Sequence, residues 1–185
     1  MSEMTLTGEK RRQGPIKIVD TSIRDGNQSL WAATGITTGM AEAMAPIYER
    51  MGLHALDFTS STHLVMGTKF HGENPWERIS RVRAAAPNTH LSCITTGMRF
   101  MSWEKAEESV YRMSLRVMAR HGLSRIMIAE PGNDIEQTMK VARWAKEEGI
   151  AEEEIMERVN KEADKHYAGK RERYGQEIMG QVEKT

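Results

Sequence analysis

The 185 residues are 39% hydrophobic and 28% charged, which is enough apolar material for one domain of ordinary size, with or without an appended helix, and excludes a disordered tail. Lys+Arg and Asp+Glu balance at 26 each, which excludes a strongly basic nucleic-acid binder, and one cysteine, Cys93, forbids an intrachain disulfide and fits a reducing compartment. No apolar run approaches the roughly 20 residues of a membrane helix and the N-terminus lacks a signal-peptide core, so no membrane partner and a cytoplasmic location are expected.

Residues 1–14 are polar, carry Lys10, Arg11 and Arg12, and read as a flexible arm. IKIVD (16–20) reads as a short buried strand, followed by the turn-rich TSIRDGNQS. Over 37–52, Met40, Met44, Ile47 and Met51 recur at helical spacing ahead of Gly52, and Pro46 predicts a kink or a late start. HALDF (54–58) reads as a strand, PWERISRVRAAA (75–86) as a helix opening on Pro75, and HLSCIT (90–95) as a strand with Cys93 in its core. Residues 102–122 read as a helix with Ala106, Val110, Met113 and Val117 on its apolar face. SRIMIA (124–129) is a fourth strand, and a fourth helix (133–149) begins at Asn133 or Asp134 and stops at Gly149. Residues 150–185 contain no strand and read as a charged helical tail, with Ile155, Met156, Val159 and Ala163 as a narrow stripe.

Four strand–helix units at a spacing of roughly 35 residues predict an α/β domain over 15–149 with a parallel sheet, because a parallel neighbour needs a helical crossover. A doubly wound sheet and an eight-fold barrel both satisfy that pattern. In either, the C-terminal ends of the strands form the functional face, which places Asp20 to Ser29 there. Within it, Arg24 and Asp25 adjoin Gly26, so an irregular backbone can present them together. An Asp oxygen suits a divalent cation, and an Arg beside it suits a carboxylate or an enolate oxygen. Asp20 reads as a strand-end residue that bonds the following turn.

DTSIRDGNQSLWA (20–32) resembles the DTxxRDxxQSLxA signature of the carboxyltransferase domain of pyruvate carboxylase, oxaloacetate decarboxylase and transcarboxylase. These are metal-dependent TIM barrels of the superfamily that includes hydroxymethylglutaryl-CoA lyase. Glu73-Asn-Pro-Trp-Glu-Arg78 is similar to the family's EDPWERL, Arg83 to Asn88 to its RxxxPN, and Asn133-Asp134 follows strand four in the same order. The resemblance implies that Asp25 ligates the metal (zinc, manganese or magnesium), that Arg24 lies near the substrate's enolate oxygen and that Gln28 contacts substrate. It places Asp57 where the lyase branch has a glutamate.

The chain departs from the family in three places. Thr95-Thr96-Gly97 replaces an arginine-bearing loop, with Arg99 nearby; Trp103 replaces a tyrosine; and Ser60 to Val65 replaces WGGATFD. A TIM barrel takes about 250 residues, and this chain supplies four of its eight units, so the expectation is the first half of such a barrel plus the C-terminal helical extension. The family's His-x-His pair and carbamylated lysine belong to later strands, and no His-x-His occurs among the six histidines. A half-barrel leaves sheet edges and apolar surface to be covered. The resemblance therefore implies a subunit of a split enzyme that acts through the enolate of a small carbonyl or acyl-CoA substrate, by carboxyl transfer or C–C cleavage. A partner polypeptide or a second copy would complete it, and biotin, if used, would ride on another chain. The alternative is a non-catalytic assembly or regulatory subunit derived from such a barrel.

Overall fold

The computed structural model describes residues 15–98, 105–130, 132 and 134–150. The expected arm, the tail from 151 onward, Arg99, Trp103 and Asn133 lie outside the described residues. Four strands, β1 (Val19–Asp20), β2 (Ala55–Ser60), β3 (His90–Thr95) and β4 (Arg125–Ile128), pair in parallel in the order β1-β2-β3-β4. Strand order equals chain order, with no reversal. A doubly wound sheet would need a switch point where that order turns back, so the topology is that of consecutive barrel strands.

The connecting helices are α1 (Asn27–Trp31), α2 (Thr38–Met51), α3 (Ser61–Met66), α4 (Pro75–Ala85), α5 (Glu108–Arg120) and α6 (Ile135–Glu147). Wider π-type turns at Ser22–Gly26 and Gly67–His71 flank α1 and α3. Helices α2, α4, α5 and α6 pack side by side in that order, so they form one layer. The core lies between this layer and the sheet, where Leu56, Phe58, Leu91, Cys93 and Ile126 meet Ala45, Ile79, Val82, Leu115 and Val141. Burial raises the Cys93 thiol well above its ordinary pKa, which suits a core residue and not a nucleophile. No described helix is long and apolar enough to cross a membrane.

Local chemistry sets the helix ends. Thr37 caps α2 by accepting from Met40 N at 3.3 Å, Asn74 caps α4 by accepting from Trp76 N at 3.0 Å, and Asp134 caps α6 by accepting from Gln137 N at 3.0 Å. Pro75 opens α4, where its missing N–H costs nothing. Pro46 does not delay α2, which already starts at Thr38; it lies on the exposed side, where the lost hydrogen bond faces water.

Three sequence expectations need correction. The strand at 16–20 is not buried: only Val19–Asp20 pair, and Ile16 and Ile18 are 91% and 61% exposed, because β1 is the edge of the described sheet. In α2 the inward stripe is Thr38, Ala41, Ala45 and Tyr48, whereas Met40, Ile47 and Met51 are exposed. In α5 the inward residues are Tyr111, Ser114, Leu115 and Met118, whereas Val110 and Met113 are exposed. In α2 the small inward side chains let the helix approach its neighbours closely, so hydropathy alone selects the wrong stripe, whereas in α5 two apolar stripes compete and the one with Tyr111, Leu115 and Met118 takes the core. Tyr111 also donates to Thr95 Oγ1 at 3.1 Å, a bond that rewards its burial.

This assignment of faces has a direct test in chemical unfolding. Leu115→Ala is expected to lose about 2–5 kcal/mol of stability and Met113→Ala less than about 0.5 kcal/mol. The reverse ranking would mean that the other face of α5 is the packed one.

Candidate functional site

At the end of β1, Asp20 turns back on its own loop. Its Oδ1 accepts from Ser22 N at 2.9 Å and its Oδ2 from Ser22 Oγ at 3.1 Å, as expected of a strand-end residue. The Thr21 carbonyl then gathers the amides of Arg24, Asp25 and Gly26 at 3.2, 2.7 and 3.4 Å. That convergence defines the wide turn. It sets the three candidate side chains, Arg24, Asp25 and Gln28, in one short segment beside the end of β2.

Arg24 is the hub. Its Nε donates to Asp57 Oδ2 at 2.6 Å and its Nη1 to Asp25 Oδ1 at 2.7 Å. The Arg24 side chain is 11% exposed, that of Asp57 is wholly buried and that of Asp25 is 59% exposed. The guanidinium therefore bridges a carboxylate inside the domain to one at its surface. Burial pushes the Asp57 carboxyl above its ordinary pKa, and the Arg24 bond and charge offset this only in part. Asp57 Oδ1 is buried with no partner among the described residues. In register, Asp57 lies opposite Ser92 of β3, which in turn lies opposite Arg125 of β4, and the Arg125 charge also acts on Asp57.

Asp57 thus serves as the counter-ion of Arg24. The sequence signal for this role is an aspartate within an otherwise apolar strand, which a buried cation must answer.

Gln28 is half-buried, and its Oε1 accepts from Ser60 Oγ, at the end of β2, at 3.2 Å. Ser60 Oγ also lies 2.8 Å from His63 Nδ1 and caps α3 by accepting from His63 N at 3.3 Å. His63 is 4% exposed and its Nε2 has no partner among the described residues. Burial first, and then the charges of Arg78 and Arg24, lower its pKa from 6.5 to about 3, so the ring is neutral. Sequence reasoning singled out Arg24, Asp25 and Gln28, which the structure brings to the ends of β1 and β2; it marked the Ser60 to Val65 loop as a departure but not the pairing of Ser60 with His63 and Gln28.

The metal expectation meets a limit here. Among the described residues no three His, Cys, Asp or Glu side chains come together as a group able to hold an ion. Asp25 offers one exposed carboxylate, with one oxygen already engaged by Arg24. This segment by itself offers a single free carboxylate oxygen and not a complete coordination sphere.

Other motif residues are architectural. Glu73 accepts from Thr38 N at 2.9 Å and from Thr38 Oγ1 at 2.6 Å, which ties the loop before α4 to the start of α2. Arg78, also buried, donates to Ile36 O at 3.2 Å. Arg83 donates to Gly122 O through Nε and Nη2 at 2.9 and 2.8 Å and to Thr89 O at 2.7 Å. Gly122 has φ of +104°, and an added Cβ would sit 2.6 Å from Arg83 Cγ, so only glycine fits beneath that arginine.

No family model matches the chain. It is 26% identical over 137 residues to a pyruvate carboxylase subunit of Methanocaldococcus jannaschii, covering 72% of this chain and 24% of that protein. It is 27% identical over 141 residues to pyruvate carboxylase of Staphylococcus aureus, covering 75% of this chain and 12% of that one. The carboxyl transferase domain from Rhizobium etli pyruvate carboxylase, solved with oxamate and biotin, superposes with a TM-score of 0.68 at 25% identity, covering 72% of this chain and 23% of that one. The same domain has been solved with pyruvate and biocytin. The chain is similar, in sequence and in fold, to part of the pyruvate carboxylase carboxyltransferase domain. It spans about a quarter or less of the length of these relatives.

The buried neutral histidine makes a pH prediction. Below pH 6.5 the unfolded chain binds a proton that the folded ring refuses until about pH 3. Stability is therefore lost as pH falls through that window, by about 1.4 kcal/mol per unit from this group. Urea midpoints of His63→Asn are expected to fall less steeply with acid than those of the unaltered chain. Parallel curves would mean that His63 is charged or exposed in the folded state.

Proposed function

We propose that this chain forms part of a metal-dependent, carboxyltransferase-like catalytic barrel that works through the enolate of a small carbonyl acid. The observation that carries this reading is the single cluster at the ends of two neighbouring parallel strands. There Arg24 is fixed by Asp57 and holds Asp25 at the surface, with Gln28 beside them on Ser60. The similarity to carboxyltransferase domains, one of them solved with pyruvate and biocytin, supports carboxyl transfer over the C–C cleavage of the lyase branch.

Each residue has a task in this scheme. Asp25 contributes a carboxylate oxygen to a divalent cation, whose chemistry when bound is Lewis-acid polarisation of a carbonyl oxygen. Arg24, with Nε and Nη1 committed to carboxylates, has Nη2 left to oppose negative charge developing on substrate oxygen. Gln28 orients the substrate. The remaining metal ligands come from a partner polypeptide that supplies the rest of the barrel, and biotin is carried on a separate chain. Relatives named as one subunit of a pyruvate carboxylase support a multi-chain enzyme.

A second reading, a non-catalytic assembly subunit, is favoured by one observation: the described residues contain no three-ligand group. Purification at native expression, with intact-mass and elemental analysis, separates the two. The catalytic reading expects a companion chain bearing His-x-His, stoichiometric divalent metal in the complex, and loss of that metal with the complex preserved in Asp25→Ala. A complex that is metal-free, or one whose metal content ignores Asp25→Ala, would establish the assembly reading instead.

A further inference from the structure

Behind Gln28 lies a two-residue relay that the proposed chemistry does not use directly. Ser60 Oγ faces three groups: His63 N at 3.3 Å, His63 Nδ1 at 2.8 Å and the Gln28 carboxamide at 3.2 Å. A hydroxyl has one proton and two lone pairs, so three neighbours saturate it. His63 N can only donate and takes one lone pair. The two remaining bonds must run in one direction. Either His63 Nδ1–H donates to Ser60 and Ser60 donates to Gln28 Oε1, or the Gln28 NH2 donates to Ser60 and Ser60 donates to His63 Nδ1.

The buried end of the relay decides between them. His63 Nε2 has no partner among the described residues, so it is left either as an unpaired lone pair or as an unpaired N–H. A buried orphan donor is the rarer and costlier state. Arg24 and Arg78 both act electrostatically on this ring, and Arg78 is itself 6% exposed. Their positive charges disfavour a second proton on the ring, so His63 carries a single N–H. The proton therefore belongs on Nδ1, Ser60 passes its own proton outward, and Gln28 presents Oε1 to Ser60 and its NH2 away from it.

We propose that His63 and Ser60 are positioning residues that lock the Gln28 carboxamide with its NH2 as the group offered at the strand-end face. This point of the site is then a dedicated hydrogen-bond donor, matched to a carbonyl or carboxylate oxygen of the ligand and mismatched to an amine or amide N–H. The inference rests on the proposed reading of Gln28 as a substrate-facing residue, but its test needs no substrate.

The test is nuclear magnetic resonance on the full 15N-labelled chain. Long-range proton–nitrogen spectra are expected to show Nδ1 of His63 protonated and Nε2 unprotonated. The Gln28 side-chain NH2 pair, assigned by its loss in Gln28→Glu, is expected to show the high heteronuclear NOE of a fixed carboxamide, because its Oε1 is held by Ser60. His63→Asn, whose amide N–H replaces the Nδ1–H donor, should keep that signature. His63→Leu and Ser60→Ala should lower that NOE toward the value of a free glutamine side chain while backbone amides elsewhere stay dispersed. An Nε2–H tautomer, or a Gln28 pair indifferent to both variants, overturns the proposal. Should both variants unfold, the tautomer of the unaltered chain still decides. A metal-free native complex alongside an Nδ1–H tautomer would refute the catalytic reading and leave the relay standing.

Discussion

A guanidinium held between two carboxylates organises this molecule's functional face. Asp57 is wholly buried in β2, and a carboxylate there is tolerable only with a cation beside it. Arg24 reaches it from a turn that follows β1, so one ion pair joins the first two strand–helix units at their C-terminal ends. The same group binds Asp25, whose side chain remains largely open to solvent. Burial thus fixes the cation, and the cation fixes the exposed acid. Placement of a candidate metal ligand by an interior charge is a rigid arrangement, because Arg24 cannot follow Asp25 outward without stranding Asp57.

Around this pair, polar contacts tie together the loops that the sheet alone would leave free. Glu73 binds Thr38 across α2 and α4, and Glu49 receives the amides of Asn88 and Thr89, each at 3.0 Å, at the approach to β3. Arg83 collects carbonyls from the turn before β3 and from Gly122 before β4. The Glu49 and Arg83 bonds lie at the far ends of the crossovers, before β3 and β4, whereas the Glu73–Thr38 and Arg78–Ile36 bonds join segments that follow strands, on the strand-end side. Several residues of the family-like motifs spend their polar atoms on such ties: Glu73, Arg78, Arg83 and Asn88 hold loops together, whereas Arg24, Asp25 and Gln28 gather beside the ends of β1 and β2 as the candidate site.

The legible part of the fold was its rhythm. Alternating short apolar runs and helical stretches set out four parallel strands, with one helix opening on Pro75 and another at Asn133 or Asp134, because capping and crossover geometry are local constraints. The inward faces of α2 and α5 were not legible. In α2, Met40 and Ile47 outrank Ala41 and Ala45 in hydropathy, yet close packing admits the smaller side chains; in α5 the Val110–Met113 stripe competes with Tyr111, Leu115 and Met118, a tertiary choice that spacing does not encode. At the site, the motif delivered Arg24, Asp25 and Gln28, which sit in one segment. Their partners Asp57, Ser60 and His63 come from the next unit, and pairing across units depends on strand register, including the irregularity between Asp57 and Thr59.

The account stands on the Arg24–Asp57 pair as the element that anchors the site. A double-mutant cycle of Arg24→Met and Asp57→Leu, followed by urea unfolding, measures it most directly. Arg24→Met removes the guanidinium bound to buried Asp57, and Asp57→Leu leaves Arg24 with Asp25 as its remaining carboxylate; each is expected to cost about 3–5 kcal/mol, whereas the apolar pair together should recover much of that loss. Costs that simply add in the double variant would contradict the account, since two residues whose effects are independent cannot be each other's counter-ion.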